Sequence, residues 1–259
     1  MKDPRVIVIT GASRGIGEGL AKAYADSGRT LMIIGRNAER LEAVAEACRA
    51  KGAEVLPTIA DVADREAMDR LLTDFDRQNP IDLVIANAGI GHGSGKYLME
   101  VAEQTQEVID INVAGVTNTV MPLVNRMAAR GRGQIAMVSS IAGFAALTQA
   151  VSYSASKAFV KFWGEGLRGR MKPFGVEVTV ICPGYIKGEF TANNRYPMPF
   201  LMEPDKATRI MKRGLEAGKG RVAFPWQMSW GAGLLGALPS FVAQSLTSLK
   251  RKPKLPPIE

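Results

Sequence analysis

Short β-branched runs alternate with amphipathic segments along most of the chain, and no other feature narrows the available folds so far. Arg5–Thr10 (RVIVIT) reads as a buried strand, followed by glycines and a helix to about Ser27. Thr30–Ile34 is a second strand, and Ala38–Lys51 a helix that Asn37 caps. Glu54–Ile59 is a third strand, Asp64–Gln78 a helix and Asp82–Ala86 a fourth strand. One long helical pattern runs from about Glu103 to Ala129. Gln134–Ser139, a helix over roughly Ser152–Met171, and Val176–Cys182 continue the alternation, with Arg221–Phe224 a candidate seventh strand. Such an order specifies an α/β chain: a doubly wound parallel sheet of about seven strands, with right-handed crossovers and helices on both faces. No repeat or low-complexity tract interrupts it, so residues 1–259 are expected to form one domain.

The composition fits that expectation and excludes other classes. The 259 residues are 46% hydrophobic with a formal net charge of +8. The basic excess is spread along the chain, as on a solvated surface, so no nucleic-acid partner is expected. A local cluster, Lys250, Arg251, Lys252 and Lys254, lies near the end. Cys48 falls in a helical pattern and Cys182 ends an apolar run; neither has metal spacing, and both read as buried thiols. The apolar run before the first glycine is too short for a signal peptide, and no stretch is a clear membrane span. A cytoplasmic location is the resulting expectation.

The turn after the first strand reads Thr10-Gly11-Ala12-Ser13-Arg14-Gly15-Ile16-Gly17. Glycines there permit a sharp turn, close approach of backbone to a pyrophosphate, and tight packing of helix on strand. A helix N-terminus then faces the anion. The spacing is Gly-x-x-x-Gly-x-Gly, so an ordinary βα turn is the competing reading. The second strand ends Ile33-Ile34-Gly35-Arg36, without the carboxylate that grips an adenosine ribose in NAD sites. Arg36, flanked by Arg14, has the forked donors that suit a 2′-phosphate, which favours NADP(H). Asp61, after the third strand, either accepts from the adenine amine or caps a turn.

Tyr153 and Lys157 stand four residues apart in a helical pattern and so share a face. An ammonium beside a phenol lowers the phenol's pKa from about 10, as proton exchange with an alcohol oxygen requires. The fifth strand ends at Ser139-Ser140, on the edge where open parallel sheets bind ligands.

Together these elements resemble the short-chain dehydrogenase/reductase family over about residues 5–190, a family with a Rossmann-type fold. Thr10–Gly17 (TGASRGIG) is similar to its cofactor turn, and Asn87-Ala88-Gly89 to its NAG element. Asn112 in DINVAG matches its catalytic asparagine. Ser140, thirteen residues before Tyr153 and followed by Ile141-Ala142-Gly143, matches its serine; Tyr153 and Lys157 match its YxxxK pair, and Pro183-Gly184 its PG. The resemblance implies a hydride transfer between NADP(H) and a carbonyl or alcohol. Tyr153 would carry the proton, Lys157 would bind the nicotinamide ribose and lower the Tyr153 pKa, Ser140 would polarise the carbonyl, and Asn112 would hold a water of the proton relay. It implies cofactor contacts from Gly11, Ser13, Arg14, Gly15, Ile16 and Gly17, from Arg36, Asp61 and Val62, and from Asn87, Ala88 and Gly89. Tyr153, Lys157, Pro183, Gly184 and Ile186 complete that set. A homodimer or homotetramer, formed through the helices of Asn112 and Tyr153, is implied as well. The chain departs from the family after the PG, where Gly188 stands near the place of a cofactor-touching threonine; backbone or Thr191 would substitute.

Past residue 185 the resemblance fades. Residues 186–202, with the apolar stretch Phe190–Met202, read either as a substrate lid or as a small core under a loop. His92, the only histidine, either lines the site mouth or is a solvated loop residue. Residues 226–259 form a tail of open role. Its uncharged part, Trp226–Leu249, contains Pro239, which argues against a straight spanning helix. An interfacial segment giving weak membrane-surface contact, a subunit contact and a flap on the pocket are the alternatives. Two functions follow: an NADP(H)-dependent reductase or dehydrogenase of an apolar ketone or aldehyde, lipid-like or hydroxysteroid-like, and a catalytically silent NADP-binding regulatory or scaffold protein.

Overall fold

Strands without polar alternation must be covered on both faces, and the chain does this with helices on each side of one sheet. The computed structural model describes residues 3–91, 101–192, 194 and 197–248. The strands are β1 (Val6–Thr10), β2 (Thr30–Gly35), β3 (Glu54–Ile59), β4 (Leu83–Ala86), β5 (Gly133–Val138), β6 (Val176–Pro183) and β7 (Arg221–Phe224). All pair in parallel, in the order β3-β2-β1-β4-β5-β6-β7. The order reverses between β1 and β4, so their carboxyl ends open a crevice at the topological switch point. Pro57, which lacks an N–H, sits in the edge strand β3, where the missing donor costs least.

The helices are α1 (Gly15–Tyr24), α2 (Ala38–Arg49), α3 (Arg65–Gln78), α4 (Ala102–Ile109), α5 (Gly115–Arg130), α6 (Val151–Met171), α7 (Glu189–Ala192), α8 (Pro204–Glu216), α9 (Trp226–Ala237) and α10 (Ser240–Thr247). Alternation along β1 divides the core. Ile7 and Ile9 pack with Leu20 of α1, Leu41 of α2 and Met211 of α8, whereas Val8 packs with Leu72 of α3, Leu123 of α5 and Val160 of α6. Asn37 caps α2 as expected, its side chain accepting from the Arg40 N–H at 2.8 Å, and Asp64 caps α3 in the same way.

Two regions differ from the sequence expectation, and the tail breaks where Pro239 argued against a straight helix. The long helix from Glu103 is not continuous: one π-helical turn, Asp110–Ala114, joins α4 to α5. Helix α8 was not foreseen, although Pro204 at its start and buried Ala207, Met211 and Leu215 at four-residue spacing mark it. The tail forms two helices that break at Leu238–Pro239, because proline cannot continue α9. No helix among the described residues is long and apolar enough to cross a membrane. Cys48 and Cys182 are both buried and unpaired, and burial pushes the Cys182 thiol up to about 12.

Candidate active site and cofactor cleft

The β1–α1 turn is built by close approach. Gly11 has φ of 65°, and a Cβ there would lie 2.7 Å from the Ala88 Cα. A Cβ on Gly17 would lie 2.6 Å from the Asn87 Nδ2. Asn87 fastens the turn: its Nδ2 donates to the Thr10 and Gly11 carbonyls at 2.9 and 3.2 Å. The Asn87 and Ala88 N–H groups donate to the Thr10 hydroxyl at 3.1 and 3.2 Å. The glycine turn and the NAG element are therefore one unit. A Cβ on Gly15 would meet nothing within 4 Å, and α1 begins there without a side-chain cap. That open, donor-rich turn fits a dinucleotide pyrophosphate.

The turn borders a single cleft of about 1400 Å³ that also takes in the ends of β2 and β4–β6. Gly11, Ser13, Arg14, Gly15, Ile16, Arg36, Asp61, Val62, Asn87, Ala88 and Gly89 line it, as do Ser140, Tyr153, Lys157, Pro183, Gly184 and Ile186. Gly17 and Asn112 stand behind that wall. Gly17 and Asn112 are buried.

At the end of the cleft beside β2, Arg36 faces Asp61 with 3.6 Å between charged atoms, and Asp61 also accepts from the Ala63 N–H at 3.0 Å. Asp61 is thus a turn cap and a cleft residue at once. Arg14 is held by an acid that sequence reading missed: its Nη1 donates to the Glu189 Oε2 at 2.6 Å. Arg40, also missed, donates to both Glu189 carboxylate oxygens at 3.1 Å. Arg40 could have been noticed as the residue one helical turn beyond Arg36. Glu189 carries no such signal, because its partners lie 149 and 175 residues away.

The catalytic candidates meet at the other end. Lys157, 4% exposed, projects from α6; its Nζ donates to the Val138 carbonyl at 3.1 Å and lies 5.7 Å from the Tyr153 ring centroid. Burial pulls the ammonium pKa from 10.5 down to about 8. The Ser139 hydroxyl donates to the Lys157 carbonyl at 2.6 Å, and Gly143 packs against the same backbone, where a Cβ would lie 2.6 Å from the carbonyl. Ser140 turns its hydroxyl into the cleft, accepting from the Ala142 N–H at 3.1 Å and donating to the Pro183 carbonyl at 3.4 Å.

Asn112 sits in the π turn and is fully buried. Its Oδ1 accepts from the Ile90 N–H and its Nδ2 donates to the Ile90 carbonyl, both at 2.8 Å. The second Nδ2 hydrogen reaches the Ser156 hydroxyl at 3.1 Å, which in turn donates to the Tyr153 carbonyl at 2.8 Å. Asn112 therefore ties the loop segment after the NAG element to α6. The extra residue of a π turn is what aims it there.

Beyond β6, Thr191 folds its hydroxyl back on its own loop, donating to the Ile186 carbonyl at 2.8 Å. Phe190 lies 5.7 Å, centroid to centroid, from Tyr153. The inner face of α9 (Met228, Gly231, Ala232 and Leu235) closes the far side of the cleft, so the tail does flank the pocket. His92 lies outside the described residues, as do Lys250, Arg251, Lys252 and Lys254.

A glycine turn at a switch point, with a Tyr–Lys pair and a serine at the neighbouring strand ends, defines a nucleotide-binding α/β oxidoreductase. A profile of the short chain dehydrogenase family matches residues 5–198. The chain belongs to that family and is an oxidoreductase that uses a nicotinamide cofactor. It is 38% identical over 237 residues to an uncharacterized oxidoreductase of Myxococcus xanthus, covering 91% of this chain and 93% of that one. A short-chain dehydrogenase from Sphingobium yanoikuyae, solved in complex with NADPH, superposes with a TM-score of 0.78 at 28% identity, covering 91% of this chain and 97% of that one. The bulky-bulky ketone specific alcohol dehydrogenase of Comamonas testosteroni superposes with a TM-score of 0.75 at 26% identity, covering 91% and 95%.

Proposed function

We propose that this oxidoreductase works with NADP(H) and interconverts an apolar ketone or aldehyde with its alcohol. The observation that carries the reading is the convergence of Ser140, Tyr153 and buried Lys157 at one end of a cleft whose other end holds Arg14, Arg36 and Arg40. When bound, the nicotinamide supplies or accepts the hydride. Tyr153 then donates its phenolic proton to the substrate oxygen in reduction and removes it in oxidation. Lys157 holds its charge close to the Tyr153 ring and offers donors to the cofactor ribose. Ser140 donates to the same substrate oxygen, and Asn112 fixes the path by which protons return to Lys157. A lysine kept almost wholly out of water argues against the silent scaffold, which has no use for the cost.

Arg36, Arg14 and the lack of a carboxylate at Gly35 favour the 2′-phosphate, and the NADPH complex of the Sphingobium relative agrees with this. Leu147, Phe190, Met228 and Leu235 give the substrate end an apolar lining, which suits lipid-like or hydroxysteroid-like carbonyls and accords with the ketone named for the Comamonas relative. Residues 186–202 act in this reading as the substrate lid on a single domain. Exposed Met121 of α5 and Phe159 and Phe162 of α6 support a homodimer or homotetramer through those helices. Tail residues 226–259 are assigned a weak contact with a membrane surface, on an otherwise cytoplasmic enzyme. Oxidation of NADPH with a panel of apolar ketones and aldehydes tests the proposal. Turnover that persists in Tyr153→Phe, or absence of turnover with every carbonyl while NADPH binds, would overturn it.

A further inference from the structure

Among the described residues, Glu189 is the acid beyond β6 that pairs across the cleft with arginines near the end of β2. It opens α7, and its carboxylate takes the guanidinium of Arg14 at 2.6 Å and that of Arg40 at 3.1 Å. Both arginines belong to the neighbourhood of the β2 terminus. A Cβ on Gly35 would lie 3.4 Å from the Ser13 side chain, next to Arg14, and Arg40 stands in the first turn of α2. Arg14, Arg40 and Glu189 all line the cleft. The two guanidinium groups hold the Glu189 carboxyl below the usual carboxylate range, Arg14 more than Arg40. The next residue, Phe190, stands against the Tyr153 ring at 5.7 Å between centroids. One short helix thus touches the arginines of the adenosine end and the tyrosine of the catalytic end.

We propose that Glu189 is a specificity-determining residue: a lid-borne carboxylate that occupies Arg14 and Arg40 until the 2′-phosphate of NADP(H) takes its place. The inference rests on the NADP(H) reading above. A carboxylate and a phosphate compete for the same forked donors, and a phosphate monoester carries more charge and a third acceptor oxygen. NADP(H) therefore releases Glu189 and repays the broken ion pair. NAD(H) carries only a neutral 2′-hydroxyl at that position, which cannot replace a carboxylate on two guanidinium groups, so the pair persists and α7 stays tethered over the cleft.

The test measures dissociation constants of NADPH, NADH and adenosine 2′-monophosphate for the cofactor-free protein and for Glu189→Gln. Glu189 is exposed, so the variant is expected to fold. Removing the competitor should tighten NADPH and adenosine 2′-monophosphate by about two- to fivefold, the scale of an exposed ion pair, and leave NADH unchanged. Glu39→Gln, an equal change of charge on the exposed side of α2, controls for the general field and should give less. Equal tightening of NADH would place the carboxylate against the pyrophosphate and overturn the inference. So would no tightening, or the same gain in Glu39→Gln. A wild-type protein that binds NADH as tightly as NADPH would instead refute the NADP(H) reading itself.

Discussion

Lys157 and Glu189 line the same cleft, and their surroundings are opposite. Lys157 is 4% exposed, with its carbonyl held by Ser139 and its backbone packed against Gly143. Glu189 stands in a four-residue helix whose neighbour Phe190 is 55% exposed. The contrast extends to the regions around them. Up to Gly184, the site is made of strand ends and helices that share buried hydrogen bonds, as Asn112 does with Ile90 and Ser156. Just after it, the short helix α7 meets the far side of the cleft through the ion pairs of Glu189 and the single aromatic contact of Phe190. Packing density fixes the first region in one geometry, which proton transfer needs. Few contacts leave the second region free to adjust to what enters.

If the first region holds the chemistry, its substitutions should cost most. Tyr153→Phe removes the proton carrier and leaves packing nearly intact. Turnover should fall by about 10²–10⁴-fold, the usual contribution of a positioned acid or base, while fluorescence titration finds NADPH affinity little changed. Near-normal kcat would dissolve the distinction between the two regions. At the adenosine end, Arg36→Ala should weaken NADPH binding by about tenfold, from loss of one charge-assisted contact, and barely alter NADH. Equal losses for both cofactors would contradict the 2′-phosphate assignment.

Burial around Lys157 also predicts a stability effect. Its folded pKa, about 8, lies below the ordinary 10.5. Below pH about 8 the ammonium is charged in both folded and unfolded chains, and the desolvation cost is paid in full. As pH rises towards 10.5 the folded chain gives up its proton first, and the cost fades. Lys157→Met removes the buried charge but leaves the Val138 carbonyl without its donor. The cofactor-free variant should be more stable at pH 7 by about 1–2 kcal/mol, or a few degrees in Tm. That gain should shrink between pH 8 and 10.5, even as activity is lost. A variant that melts earlier at pH 7 would mean that Lys157 supports the fold rather than being strained by it.

The same contrast explains what could be read in the sequence. Strand limits and the Asn37 cap were legible because local pattern and tertiary packing agree on them. The glycine turn, Asn87, Ser140, Tyr153 and Lys157 were legible because close packing ties each residue type to a fixed spacing. The π turn at Asn112 was not, since an apolar helical pattern runs through Asp110–Ala114 without interruption and only the three-dimensional fit selects the extra residue. Arg40 and Glu189 were hidden for another reason: a pair between exposed side chains far apart in sequence leaves no periodic trace. The two-sided nature of α9 was hidden too, because a helix that is apolar all round does not reveal which face is covered.

That helix gives the smallest expected effect. Met228, Gly231, Ala232 and Leu235 face the cleft, whereas Trp226, Trp230 and Leu234, four residues apart, are each about two-thirds exposed. Phe241 and Leu246 of α10 continue the exposed apolar surface, and no charged residue occurs from Trp226 to Ser248. The sequence then supplies Lys250, Arg251, Lys252 and Lys254. Each basic residue near an anionic lipid surface contributes about 1 kcal/mol, and buried apolar area adds about 25 cal/mol per Å². Weak, salt-sensitive sedimentation with vesicles containing phosphatidylserine is therefore expected, and little with neutral vesicles. Exchanging the four basic residues for Gln should abolish the dependence on salt and on lipid charge without touching the folded helices. Trp226→Ser with Trp230→Ser should weaken what remains, since both rings point away from the cleft and their loss spares its lining. If the intact protein ignores vesicles at low salt, the exposed face belongs to a subunit contact, and the Trp pair should then change the oligomeric state in sedimentation velocity instead.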